Sequence, residues 1–210
     1  MATIKQGILG GFSGKVANVI GSSWKGIAVM KSKPLSVANP KTAGQTSQRD
    51  KFGGVVAFAT AILSTIIKPL WDRFASQMSG YNDFVSTNLA LFANGVLTTP
   101  ASLVISKGKM SATVIDSATL DASEHMLSLS WSNDAGQGFK LASDKVFVVF
   151  YNKTKDEFSI YDGSAVRSDG NVVLDGLDWA SPDQIYAYLA FRRVDGTIVS
   201  NSSYSPVSII

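Results

Sequence analysis

The sequence predicts an α+β fold, with short N-terminal strands and a helical hairpin followed by an antiparallel β-sandwich. Three observations predict it. Before residue 40, short apolar pieces are cut by glycines. Between 40 and 95, apolar residues recur at helical spacing. From 96 onwards, brief alternating runs are separated by Asp, Asn and Gly. These patterns divide the chain into 1–39, 40–95 and 96–210.

In the first segment, Gly7, Gly10, Gly11, Gly14, Gly21 and Gly26 punctuate the apolar pieces 15–20 and 24–31. Short pieces bounded by glycine read as strands joined by tight turns. Ile27 and Val29 then share one strand face. This arm has too little apolar area to fold alone and must pack on something, either the rest of the chain or a neighbouring subunit.

Asn39-Pro40 closes the extended part, because a residue before proline avoids the helical region. Thr42 and Gln45 have the spacing of a capping box. Phe52, Val55, Val56, Ala59, Ile62, Leu63 and Ile66 form a helical apolar stripe. Lys68-Pro69 marks a break, with Pro69 suited to the first turn of a second helix carrying Leu70, Trp71, Phe74 and Met78. Ser79-Gly80 interrupts again. A third piece runs from Tyr81 to Phe92 and meets a C-cap pair at Asn94-Gly95.

The last segment contains runs at 103–106, 112–115, 126–131, 145–151, 157–161, 171–174, 184–193, 197–200 and 206–209. Asp195-Gly196 between two apolar runs is a hairpin signal. Many short strands in about 105 residues suggest a sandwich. Trp131 on an early strand, Tyr186 and Tyr188 alternating on a late one, and the ending Ser-Ser-Tyr-Ser-Pro resemble a fibronectin type III or Ig-like domain. Without cysteine it cannot be the disulfide-bonded antibody type.

A second resemblance lies near the N-terminus. Gly14-Lys15-Val16-Ala17-Asn18-Val19-Ile20-Gly21-Ser22-Ser23-Trp24-Lys25-Gly26 resembles a block of an uncharacterised family of this length from Bacteroidota. Asn39-Pro40-Lys41-Thr42, Gln45, Gln48-Arg49 and Lys51-Phe52 resemble its second block, and a similar pattern in phage structural proteins. The resemblance implies a virion or assembly context and carries over no catalytic residue.

Composition excludes several chemistries. The 210 residues include no cysteine and one histidine, so thiolate metal sites, disulfides and cysteine nucleophiles are impossible. Only 17% of residues are charged and the mean hydropathy is +0.14, which describes a folded chain, either with part of its surface buried in an assembly or with a β-rich domain whose surface carries Ser, Thr and Asn. Gly10–Lys15 has the wrong spacing for a phosphate-binding loop, and Val16 stands where Ser or Thr is required. His125 lacks a nucleophile elbow to serve. Asp156, Glu157, Asp162, Asp169, Asp175 and Asp178 sit where turns are expected, a backbone role. No catalytic residue, cofactor or metal ligand is assigned.

The net charge of +3 hides a split. Residues 1–55 carry eight basic residues against Asp50, a net +7, and the remainder carries eleven against fifteen acids, a net −4. Lys15, Trp24, Lys25, Lys31, Lys33, Gln48, Arg49 and Lys51 are the candidate interaction residues. Basic and aromatic residues interleaved in this way suit an acidic protein surface or a nucleic-acid backbone. Protein docking or self-association is preferred, since no nucleic-acid motif is present.

The expected role is a non-enzymatic virion structural protein that forms an oligomer or assembly through protein–protein contacts. Its alternatives are a cellular module binding glycan or peptide through Trp131, Tyr151, Tyr161 and Trp179, or a nucleic-acid binder. The start lacks the continuous apolar stretch of a secretory signal. The apolar run 55–67 falls well short of the ~20 residues that span a bilayer. Synthesis in a bacterial cytoplasm and residence in a virion, or in the cytoplasm, are therefore expected, with no membrane partner.

Overall fold

A computed structural model describes residues 2–3, 11–37, 39–175 and 178–210. Lys5, the glycines at 7 and 10, and Gly176-Leu177 lie outside the described residues. The protein mixes helices with several antiparallel sheets and divides into two compact units, Met1–Thr42 and Ala43–Ile210.

The first unit is one antiparallel sheet. Its strands are β1 (Ala2–Thr3), β2 (Gly14–Val16), β3 (Val19–Trp24) and β4 (Ile27–Ser32), in the order β1-β4-β3-β2. Lys25 and Gly26, both at positive φ, make the two-residue turn between β3 and β4. The 15–20 piece, read from sequence as one run, instead reverses at Ala17-Asn18, with Ala17 at φ 50°. Gly21 is required by packing: a Cβ there would stand 2.3 Å from the Phe12 carbonyl oxygen and 2.5 Å from its ring.

The second unit opens with α1 (Ala43–Ala61), which begins one residue after Thr42 as the capping pattern predicts. No residue of α1 before Val55 is buried. Phe52, expected on the apolar stripe, is 54% exposed. Val55, Phe58, Ala59, Ile62, Ile66 and Ile67 supply the core. The helix bends by 68° near Ile62, not at Lys68-Pro69. The bend is a π-type turn, Leu63–Ile67, in which the Ile67 N–H reaches the Ile62 carbonyl at 3.1 Å. Such a turn is a known source of kinks. Pro69 then sits in the first turn of α2 (Lys68–Trp71), where its missing N–H is harmless.

The second helix stops at Trp71 and does not reach Met78. Asp72 accepts a hydrogen bond from the Gly80 N–H at 3.0 Å and so closes the 72–79 loop onto α3 (Gly80–Asn88). Ser79 caps α3 by accepting from the Asn82 N–H. After a 3-10 turn, β5 (Phe92–Ala93) and β6 (Val96–Leu97) form a small hairpin. Asn94-Gly95 is its turn, both residues at positive φ, and not a helix C-cap.

Two four-stranded sheets complete the unit. One has the order β11-β8-β7-β14, the other β10-β9-β12-β13. These strands are β7 (Ile115–Asp121), β8 (Met126–Trp131), β9 (Lys145–Asn152), β10 (Glu157–Val166), β11 (Asn171–Leu174), β12 (Ile185–Arg192), β13 (Ser203–Pro206) and β14 (Ser208–Ile209). β7 was not predicted, because only Ala118 and Leu120 of its residues are buried and its sequence lacks a strong apolar alternation. Residues 103–106, predicted as a strand, form none. Leu103 and Ile105 enter the helical core while their neighbours bond to side chains, Val104 N–H to Asn88 and Ile105 N–H to Ser202. The 112–115 run is likewise irregular up to Ile115.

The central strands β9 and β12 explain the layering. Val146, Val148, Phe150, Ala187, Leu189 and Phe191 join a core with Leu127, Leu129 and Trp131 of the other sheet. Their alternate neighbours Phe147, Val149, Tyr151, Tyr188 and Ala190 join a second core with the helices. The second unit is thus three layers: helices, central sheet, outer sheet. A strand buried on both faces shows little alternation, which accounts for the continuous apolar run 146–151.

Candidate interaction surface

The eight candidate interaction residues form two patches, one in each unit. In the first unit, Lys15, Ile20 and Lys31 lie side by side across β2, β3 and β4. Alternation puts Ile27 and Val29 on that same face. Lys25 sits in the β3–β4 turn, and Lys33 lies past the other end of β4, where its N–H bonds the Asn18 carbonyl at 2.7 Å. Trp24 pairs with Ile27 in the backbone register. All four lysines are exposed. Val16, Ile27, Leu35 and Val37 are also exposed, Leu35 at 99%. Among the residues of this unit whose burial is described, Gly21 alone is buried. The unit carries six lysines and no acid, a net +6, against −3 for residues 43–210.

In the second unit, Gln48, Lys51 and Phe52 share one stripe of α1, by their spacing of three and four. Arg49 stands one position round from it. Gln48, Arg49 and Phe52 are exposed and Lys51 is half-buried.

Several of the remaining chemistry-bearing residues make structural hydrogen bonds. His125 is exposed at the β7–β8 turn, with φ 56°. Asp156 turns β9 into β10 and accepts a hydrogen bond from Tyr151 Oη at 2.9 Å. Asp169 accepts from the Val166 N–H. Among the described residues no group of three metal-ligating side chains exists. Of the four aromatics considered as a ligand platform, Trp131, Tyr151 and Trp179 are at most 3% exposed. The Trp131 indole N–H donates to the Arg167 carbonyl, and that of Trp179 to Glu157. Among the described residues no single helix is long and apolar enough to cross a membrane.

Sequence reasoning missed a buried ionic network at one end of the sheets. Arg167 is wholly buried and lies over the Phe191 ring at 3.8 Å. It pairs with Asp144 at 3.3 Å and Asp134 at 2.5 Å, and Asp134 also takes Lys140. Burial alone would raise the Asp134 carboxyl, but bonds from Lys140 and Thr113 and the Arg167 charge hold it below the usual carboxylate range. Two cations and two anions balance, and the network ties loops together. Nothing in the local sequence Ala165-Val166-Arg167-Ser168-Asp169 signals burial, because the partners lie 23 and 33 residues away.

A protein-family model described as a family of unknown function (DUF6266) matches residues 11–206. No curated protein matches the chain. The chain therefore belongs to this uncharacterised family.

Proposed function

We propose that this member of the DUF6266 family is a non-enzymatic assembly protein that docks through its basic N-terminal half and displays a β-sandwich. The observation that carries the reading is the first unit's sheet. It joins exposed Ile27 to exposed Lys15 and Lys31 on one face, with no acid anywhere in the unit. A small sheet is independently stable only with a packed apolar face, and among the described residues of this four-stranded sheet only Gly21 is buried, so a partner that buries this face gains both apolar contact and charge pairing. The net −3 of residues 43–210 makes a second copy of the chain a suitable partner.

The virion is the setting that the phage-like pattern from Asn39 to Phe52 favours, as a capsid, decoration or tail component. We read the two sheets as a fibronectin type III or Ig-like sandwich. Seven main strands, the split into β11-β8-β7 and β10-β9-β12-β13, and Trp131 at the core support that reading. The parallel pairing of β14 with β7 is an addition to it.

Light scattering after size exclusion tests the proposal. The full chain is expected to form concentration-dependent oligomers that weaken with salt. Lys15→Glu/Lys31→Glu should abolish them. A monomer at every concentration and salt would overturn self-assembly. Salt-steep binding of a DNA duplex, lost in the same variant, would favour nucleic acid as the partner instead.

A further inference from the structure

A cleft of about 430 Å³ opens between the helices and the 195–199 turn. Its volume falls in the roughly 300–1,000 Å³ range of small-ligand sites. Trp71 and Phe74 form one wall, and Ile198 and Val199 the other. Lys107 and Lys109 stand on either side of Gly108 in its lining. Neither lysine makes an ion pair or hydrogen bond among the described residues, and both are exposed.

The Lys-Gly-Lys turn is held firmly. The Gly108 N–H donates to Asn201 Oδ1 at 3.1 Å, Ser106 Oγ to the Ser200 carbonyl at 2.6 Å, and the Met110 N–H to the Val199 carbonyl at 3.2 Å. A Cβ at Gly108 would stand 2.0 Å from the Val199 carbonyl oxygen, so only glycine allows this approach. The opposite wall is held too. Trp71 Nε1 donates to the Ile105 carbonyl at 2.7 Å, and the Phe74 N–H to the Trp71 carbonyl at 2.9 Å. Asp83 is the one acid in the lining, so the two lysines and Asp83 leave a single positive charge.

We infer that this cleft binds a small monoanion, a carboxylate carried on an aromatic or branched apolar body. The ring would lie between Phe74, which is 37% exposed, and Ile198, and the carboxylate would meet Lys107 and Lys109 at the mouth. Preformed walls limit the ordering cost of binding. All of its lining residues belong to the second unit.

Three probes with one apolar body test the inference on the full chain: 1-naphthylacetate, 1-naphthylmethanol and 1-naphthylmethylamine. The readout is the amide and indole NMR spectrum. Saturable shifts are expected at the Trp71 indole N–H and the Gly108 amide. The acetate should bind at least about tenfold more tightly than the alcohol, as a charge-assisted bond predicts, and the amine more weakly than either. Lys107→Ala/Lys109→Ala should remove that preference, so that the variant binds the acetate no more tightly than the alcohol. Both lysines are exposed, so the variant is expected to fold, and an unchanged spectrum elsewhere checks this. Equal binding of acetate and alcohol, shifts confined to other regions, or no shift with any probe would overturn the inference.

Discussion

Arg167 and Asp144 face each other wholly out of solvent, with Arg167 Nη2 3.3 Å from Asp144 Oδ2 and neither side chain exposed. Asp144 also accepts from the Leu141 N–H at 2.8 Å, while the Arg167 N–H reaches the Asp144 carbonyl. The pair therefore fixes two loops to each other through both backbone and side chains.

Removing one partner of such a pair strands the other charge. Arg167→Met should lower stability by about 3–5 kcal/mol, read as a fall in the urea midpoint with an unchanged slope. Arg167→Met/Asp144→Leu removes both charges and should recover part of that loss. If the double variant is less stable than the single one, the pair is not the source of the effect.

The same network predicts acid sensitivity. The Asp134 carboxyl is depressed in the folded protein, so its stabilisation is full above the unfolded carboxylate range and is lost as pH falls through the folded value. The urea midpoint should be flat from neutral pH to about pH 5 and fall below about pH 4. Asp134→Asn should start lower at neutral pH and lose less on acidification.

Adjacent glycines in α1 should respond with opposite sign. A Cβ at Gly53 meets nothing within 4 Å, so Gly53→Ala should stabilise by the helix-propensity gain of about 1 kcal/mol. A Cβ at Gly54 would stand 2.4 Å from the Gly95 carbonyl oxygen and 2.6 Å from its carbonyl carbon. That contact is with backbone and outweighs the propensity gain, so Gly54→Ala should destabilise. Thermal unfolding of the two variants separates them.

Asn88 is buried and takes the place of a strand partner for Val104. Its Nδ2 donates to the Phe84 and Val104 carbonyls at 3.0 Å each, and its Oδ1 accepts from the Val104 N–H at 2.9 Å. Asn88→Ala leaves Val104 with both polar groups unmet, a loss of about 3 kcal/mol. Asn88→Asp keeps the acceptor but buries a charge, and should be no better at neutral pH. Denaturant unfolding checks both.

Local patterns made much of the fold legible. Thr42 and Gln45 announce the start of α1, Met126 to Trp131 alternate as a half-buried strand should, and Asp195-Gly196 turns where expected, with the Arg193 N–H bonded to the Ile198 carbonyl. Where reading failed, a distant partner overrode the local signal. Phe52 fits the helical stripe but is 54% exposed, on a stretch of α1 with no buried residue before Val55. Asn94-Gly95 suits a helix end and a hairpin equally, and Phe92 pairing with Leu97 decides for the hairpin. For the candidate interaction residues, the charge excess of the first 55 residues was countable. The alignment of Lys15, Ile20 and Lys31 depended on a reversal at Ala17 that no glycine marks.

By itself, the sequence determined the alternation of element types, the absence of thiol chemistry and the segregation of charge, because these follow from residue identity and short-range periodicity. Only the tertiary structure decided that β9 and β12 are covered on both faces, that Arg167 is buried against acids 23 and 33 residues away, and that Lys107 and Lys109 frame a cleft with Trp71. Each of these depends on which side chains meet across long stretches of chain. A pairing of that kind leaves no period in the residues that make it.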